Sequence, residues 1–549
     1  MDSKEPEKDE FLFKQIHKFG WDTGAIFAVF GSIALIFLLF YLRQLKEGME
    51  VTGLNVPVYW GIYIASFVYF IGLSHAGTLI SAILRVTGAE WRRPLTRLAE
   101  SITVFVLLFG IMNLGIDLGR PIRGALYIAQ YGRYQSPLLW DFSSIMTYLI
   151  LSGIFLYVAM IPDLAHVRDR VKKGKWFYEI FALNFRGTKK QWHQYEKAVL
   201  TLSIVVIPVA VSVHTVISFV FAMTVQPLWH ETMFGPFFVA GAIFSGVAAI
   251  NVAMYILRKF YHLEEYLNER IFNNMGKLLL AMSMIWFYFF LAENLTTYYG
   301  NEIPHMTVLR ERVGGRYQLH WLTMAFTNFV IPFTILALRR TIKGVTIASA
   351  SVVIGMYLER FLIVVPTLLN PRLPLVEPRE FGGMAISNYT PLAVEILSIL
   401  ASFSIFIMLY YLFTKLVPII PVSEVWLEDE KAFEPGNEKG TEDLYSPPDQ
   451  GEGNGLIRKL QIGFIAAFLL FDFGIILFFL NGIRNGIIFG ILNKEILDMG
   501  SLYFALAMNF LFLPVHITLI YTVGKLSLVL IREGDNMVSV EKKGKKKEK

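Results

Sequence analysis

Long apolar runs broken by short charged segments dominate this chain, and the pattern predicts helices that cross a lipid bilayer. A hydrocarbon core about 30 Å thick takes roughly 20 apolar residues of helix. Runs of that kind with few charges occupy 24–42, 56–84, 98–114, 143–162, 198–223, 234–257, 275–295, 319–338, 345–369, 392–417, 462–480 and 502–531. In lipid every backbone polar group has to be bonded within a helix or a closed barrel. Runs of this length therefore predict an all-α integral membrane protein with about twelve transmembrane helices. The first run is too long for a signal-peptide core, its leader mixes acids with bases, and no small-residue cleavage site follows, so it reads as an anchor.

Composition agrees, with 55% hydrophobic and 17% charged residues and a mean hydropathy of +0.51. The absence of cysteine removes structural disulfides, thiolate zinc sites, iron–sulfur clusters on this chain and covalently attached haem. With the amino terminus placed inside, 37 of the 50 Lys and Arg fall on that side. The positive-inside rule then puts both termini in the cytoplasm and the protein in the cytoplasmic membrane. The net charge of +6 belongs to that surface and to lipid headgroups, and no nucleic-acid role follows.

The punctuation divides the chain into a cytoplasmic tail (1–23), a ten-helix core (24–420), a polar linker (421–459), an appended helix pair (460–531) and a basic tail (532–549). The glycine-broken stretch 481–500 reads equally as a loop or as a re-entrant segment. Residues 235–246 loosely echo 57–72, four spans earlier and in the same direction. That offset predicts two parallel four-helix bundles, spans 2–5 and 6–9, with flanking helices. Small residues at 72–77 and 235–246 permit close helix approach.

Ionisable groups inside hydrocarbon are costly, so each is a functional candidate. Asp117, Asp141, Glu293, Glu359 and Glu395 all fall toward the outer leaflet, with Arg120, Arg123 and Arg360 nearby. Such a cluster suits proton exchange near the outer surface. Helix ends also collect charges, which is the plain alternative for any one of them. His75 and His214 lie deep in their spans, where a haem ligand pair, a proton relay and a structural role all remain open. His516 reads as structural, and the appended pair, which carries Asp472 mid-span, reads as a place where another subunit could dock.

The run Gly72-Leu-Ser-His75-Ala-Gly, continuing to Glu90-Trp-Arg-Arg-Pro94, resembles the polysulfide reductase membrane subunit (NrfD-type) family, especially the quinol-oxidising subunit of alternative complex III. Asp117-Leu-Gly-Arg-Pro121, Ser136-Pro-Leu-Leu-Trp-Asp141-Phe, Arg186-Gly-Thr-Lys-Lys-Gln-Trp-His193, Ser212-Val-His214, Trp229-His230-Glu-Thr and Gly355-Met-Tyr-Leu-Glu359-Arg360-Phe extend the likeness over spans two to nine. The resemblance implies a respiratory subunit that takes quinol or menaquinone as substrate near the outer face and carries no haem or iron–sulfur cluster of its own. Its implied partners are an extracytoplasmic iron–sulfur protein, a molybdopterin-type protein or a cytochrome c, and other membrane subunits. Asp117, Arg120, Asp141 and His230 become quinone-site candidates, with Asp117, Asp141 and His214 in catalysis. His75, His214, Glu293, Glu359 and Glu395 become a proton path. The sequence departs from the family pattern at Phe219-Val220-Phe221, where an acid is expected, and this bears on proton translocation more than on quinone binding. The competing class is a secondary transporter or ion-translocating subunit built on the same repeats, without quinone chemistry.

Overall fold

The computed structural model describes residues 13, 16–124, 127, 136–171, 173–371, 389–424, 455–492 and 512–533. Most of the polar linker and the basic tail lie outside these residues. Twelve helices among the described residues are long and apolar enough to cross a membrane, as the hydropathy pattern predicts. The membrane helices are α1 (Trp21–Glu47), α2 (Ile62–Val86), α3 (Thr96–Asp117), α4 (Pro137–Arg170), α6 (Lys189–Ala222), α7 (Phe234–Phe260), α8 (Glu269–Gly300), α10 (Gln318–Leu338), α11 (Ile342–Leu369), α12 (Ala393–Leu416), α13 (Gly455–Leu492) and α14 (Phe512–Glu533). Short helices α5 (Lys175–Phe181) and α9 (Ile303–Val313) lie between them. Helix α13 runs through the first part of the glycine-broken stretch to Leu492.

Two rings of four helices form the core. Helices α2, α3, α4 and α6 close one ring, and α7, α8, α10 and α11 repeat its neighbour pattern four spans later. Helix α2 joins them, packing on α3 and α6 within its ring and on α7 and α11 of the other. Two glycines make this possible. A Cβ at Gly77 would collide with the Ala99 carbonyl oxygen on α3, and one at Gly246 would collide with Ala76 Cβ. Both lie at places where backbones approach too closely for a larger residue. Helix α1 lies outside the rings against α12, and most of its surface faces lipid.

Helix α10 contains one wide π turn, Phe326–Val330. Pro332 has no N–H to give the Asn328 carbonyl its ordinary partner. The Ser283 hydroxyl on α8 donates to that oxygen instead, at 3.0 Å.

One end of the first ring is a basic face closed by ion pairs. Arg97 pairs with Asp163, both buried, and Asp163 Oδ1 accepts from the Ser423 amide at 2.9 Å. Glu424, just beyond α12, is held between Arg85 and Arg92, the latter at 2.7 Å, and Arg93 donates to its carbonyl at 3.0 Å. Burial raises the Glu424 carboxyl, but the two guanidiniums outweigh it and hold it below the usual carboxylate value. A folded value below the unfolded one stabilises at neutral pH, and the contribution is lost as pH falls through the acid range. Glu424→Gln is therefore expected to cost about 3 kcal/mol, because it leaves two buried cations short of an anion. The check is a lowered thermal midpoint in detergent at pH 7 whose difference from the parent shrinks only once the pH falls below the ordinary carboxylate range, as the parent's own carboxylate takes up its proton.

Candidate functional site

At the face opposite the basic one, polar side chains from five segments meet. Glu395, in the first turn of α12, accepts from the Gly53 amide at 2.7 Å and the Leu392 amide at 2.9 Å, and from the Tyr389 hydroxyl. Tyr389 in turn accepts from the Ile62 amide at 2.9 Å, at the start of α2. Burial, then the Glu395 charge, pushes the Tyr389 phenol up, so it remains a donor. Beside this knot, the Tyr63 hydroxyl donates to Gln44 Oε1 at 2.8 Å, and Gln44 Nε2 reaches the Ile116 carbonyl at 3.3 Å. Asp117 closes α3 at the same place, close enough to feel the Glu395 charge. Its Oδ1 is buried and has no hydrogen-bond partner.

An apolar groove of about 660 Å³ lies between α1 and α3, with Ile405 of α12 in its lining, and Ile116, the residue before Asp117, lines it. Phe37, Leu38 and Tyr41 form one wall, and Met112, Ile116 and Pro121 the other. A second hollow of about 470 Å³ continues past Pro121 and is lined by Leu45, Arg120, Arg123 and Tyr127. The two hollows meet at Pro121, and the second brings the guanidiniums of Arg120 and Arg123 next to the apolar groove.

Asp141 stands just past the first turn of α4, buried, with Oδ1 unpartnered. Ser144 and Tyr148 follow on its side at three and seven residues, the spacing of one helix face. The Tyr148 hydroxyl reaches the carbonyls of Ser74 and His75 at 3.4 Å. The ring centroids of His75 and His214 are 3.9 Å apart. That is too close for two imidazoles to hold an iron from opposite sides of a macrocycle, so a shared haem does not fit. No nitrogen of either ring makes a hydrogen bond of ordinary geometry, and the Ala210 and Ile71 carbonyls lie near His214.

A second cluster occupies the same face of the other ring. Trp286 Nε1 donates to Glu359 Oε1 at 3.0 Å, and Arg360 lies 3.5 Å from Glu359 Oε2 and 4.3 Å over the Phe238 ring. Arg360 also adds its charge to the surroundings of His214. Toward the surface, Arg312 of α9 stands 3.7 Å from Glu293, and His305 stands 3.4 Å from Glu231. Burial lifts the Glu231 carboxyl above its ordinary value, against the pull of His305, Arg312 and His230. His230 bonds the Gln226 carbonyl at 2.8 Å and meets His305 edge to face.

The sequence candidates thus separate into groups. Asp117, Arg120 and Glu395 share the α1–α3 site, Asp141 heads the polar face of α4 leading to His75 and His214, and Glu293, Glu359 and His230 belong to the second ring. His230 is held there because the segment joining α6 to α7 packs over that ring, with Trp229 bonded to the Ile363 carbonyl at 2.9 Å. Sequence reasoning gave no role to Gln44, Tyr63 and Tyr389, whose partners are distant in the chain, nor to His305, Arg312 and Glu231, the last inside the Trp229-His230-Glu-Thr motif. It also missed Glu100, buried on α3 and accepting from Ser81 at 2.5 Å. An acid two residues inside an apolar run was signal enough.

A family model for polysulphide reductase, NrfD, matches residues 50–371. The chain is similar to a selenate reductase subunit of Mesobacillus selenatarsenatis, at 26% identity over 407 residues, covering 72% of this chain and 93% of that one. It is similar to a putative dimethyl sulfoxide reductase membrane subunit of Halobacterium salinarum, at 25% identity over 387 residues, covering 67% and 85%. The Hdr-like menaquinol oxidoreductase integral membrane subunit of Archaeoglobus fulgidus is 23% identical over 427 residues, covering 74% and 97%.

Tyr389→Phe removes the hydroxyl that links the starts of α2 and α12. About 1–3 kcal/mol of local stability is expected to go with it, because Glu395 and the Ile62 amide both lose a buried partner. Hydrogen exchange should show faster exchange at Ile62, Gly53 and Leu392 while the basic face stays protected.

Proposed function

The chain belongs to the polysulphide reductase NrfD family, and from that premise we propose that it is the quinone-reactive membrane subunit of an oxidoreductase complex. One observation carries the reading: Asp117, with a buried and unpartnered oxygen, directly follows Ile116 in the wall of an apolar groove between membrane helices. A quinol is built to match, with a long apolar tail for Phe37, Leu38, Met112 and Ile116 and a head group that gives up protons to a base. The menaquinol named for the Archaeoglobus relative is the substrate class proposed here.

In this reading the quinol head group lies against Asp117, with Arg120 orienting it and balancing its developing charge. Oxidation breaks two O–H bonds and releases two electrons. Asp117 takes a proton by general base catalysis, and Asp141, on the neighbouring helix, takes or relays the other. Glu395, already engaged by three donors, fixes the wall of the site and sets the field around Asp117. The electrons pass to an iron–sulfur partner docked on this face, which the positive-inside rule assigns to the outside of the cytoplasmic membrane. Quinone reduction by electrons arriving from that partner uses the same groups in reverse. The row His75, His214, Glu359 and Glu293 supplies a route for additional protons, with His230 at its outer end.

Asp117→Asn in the intact complex is expected to lower quinol turnover by about 10²-fold, the typical worth of a positioned base, with the subunits still assembled. Unchanged turnover and quinol affinity would sink the assignment. The proton route has its own check in proteoliposomes of the whole complex. His214→Phe should reduce proton release to the two protons of each quinol oxidised; a parent complex that already releases only those two removes the route.

A further inference from the structure

In the C-terminal helix pair, α14 buries Phe512, Leu519, Leu526 and Leu530 against the core, whereas α13 has few buried contacts. Over residues 456–477 most of α13 faces outward, and its buried positions include two polar residues, Gln461 and Asp472. Both are used. Gln461 Nε2 donates to the Glu179 carbonyl of α5 at 2.7 Å, and Asp472 Oδ1 lies 2.6 Å from His516 Nδ1 on α14. His516 Nε2 is 3.1 Å from the Thr147 hydroxyl on α4, and neither His516 nor Asp472 has any exposed surface.

We propose that Asp472, His516 and Thr147 form the seat that holds this helix pair against the first ring, and that this polar contact, more than apolar packing, fixes its position. In lipid, an apolar helix surface gains little by exchanging lipid chains for protein, so directional bonds decide where a helix rests. The Thr147 hydroxyl also stands 2.9 Å from the Ser143 carbonyl, which can only accept. Thr147 donates there, so its oxygen accepts from His516 Nε2. A second proton lies between Nδ1 and Asp472, since two bare lone pairs repel at that distance. The seat thus joins three helices through two hydrogen bonds and presents no net charge to the hydrocarbon. Asp472 is engaged within its own chain. The contact also grips α4 from outside, one and a half turns from Asp141.

The natural absence of cysteine gives a direct test in the full chain. Lys190 and Glu533 form an ion pair at 2.7 Å between α6 and α14. Such surface pairs hold little energy, so Lys190→Cys with Glu533→Cys supplies two thiols for a short bifunctional reagent. In that background Thr147→Val should slow the initial cross-linking rate about three- to tenfold, the worth of an interhelical hydrogen bond in a membrane. The double change Asp472→Leu and His516→Leu should slow it further, and Asp472→Asn, which keeps a polar partner for His516, should restore most of the rate. Cross-linking of the double leucine variant at the parent rate overturns the proposal, because apolar packing would then suffice. If that variant does not accumulate, Thr147→Val decides alone, and an unchanged rate overturns it equally.

Discussion

No water reaches the middle of a bilayer, so every polar side chain on the central helix α2 has to be answered by protein. The rest of the architecture follows from that demand. Helix α2 carries Ser66, Ser74, His75, Thr78 and Ser81, all buried, and cannot be turned toward lipid on any side. It is walled by α3 and α6 on one flank and by α7 and α11 on the other. The close approach that this wall requires is supplied by small residues, and several of its polar groups are met across it, while among the described residues the His75 ring nitrogens and the Thr78 hydroxyl are not. Thr103 of α3 bonds the Ser74 carbonyl and the Thr78 amide at 2.7 and 2.9 Å. Tyr357 of α11 lies 3.3 Å from Ser66.

The two rings share a neighbour pattern but not a chemistry. The first has an apolar groove at its side and carries Asp117 and Asp141 with no cation among the described residues paired to them in hydrogen-bonding distance, whereas Glu293 and Glu359 of the second stand beside arginines and a tryptophan. Buried ion pairs add little stability over apolar packing, so the arginine-paired acids of the second ring are retained at a cost. Helix α2, common to both rings, places the His75–His214 contact where the two kinds of interior come nearest.

The spans were legible because hydropathy is a property of neighbouring residues, and a run of twenty carries its own signal. The charged groups that interrupt those runs were legible for the same reason: Asp117, Asp141, His75, His214 and Glu359 stand out against apolar surroundings. What could not be read was assembly. Tyr389 lies in a segment with no hydropathy signal and acquires its meaning only when folding sets its hydroxyl between Glu395 and the Ile62 amide. Gln44 looks like the ordinary polar end of a helix until Tyr63 and the Ile116 carbonyl surround it. His230 shows the opposite limit, since a motif can carry the right residue while the path of the backbone decides which ring it serves.

The wide turn in α10 makes the length of that helix as informative as its composition. Removing one residue between 326 and 330 would restore regular winding, yet it would rotate everything on one side of the deletion by about 100° relative to the other. Tyr317 and Trp321, which now meet Phe361 and Phe290, would swing away from those rings. Proline at 332 and the extra residue before it thus have to be inherited together. In diverging copies of this chain, gaps can accumulate in the loops, while α10 can gain or lose neither feature alone.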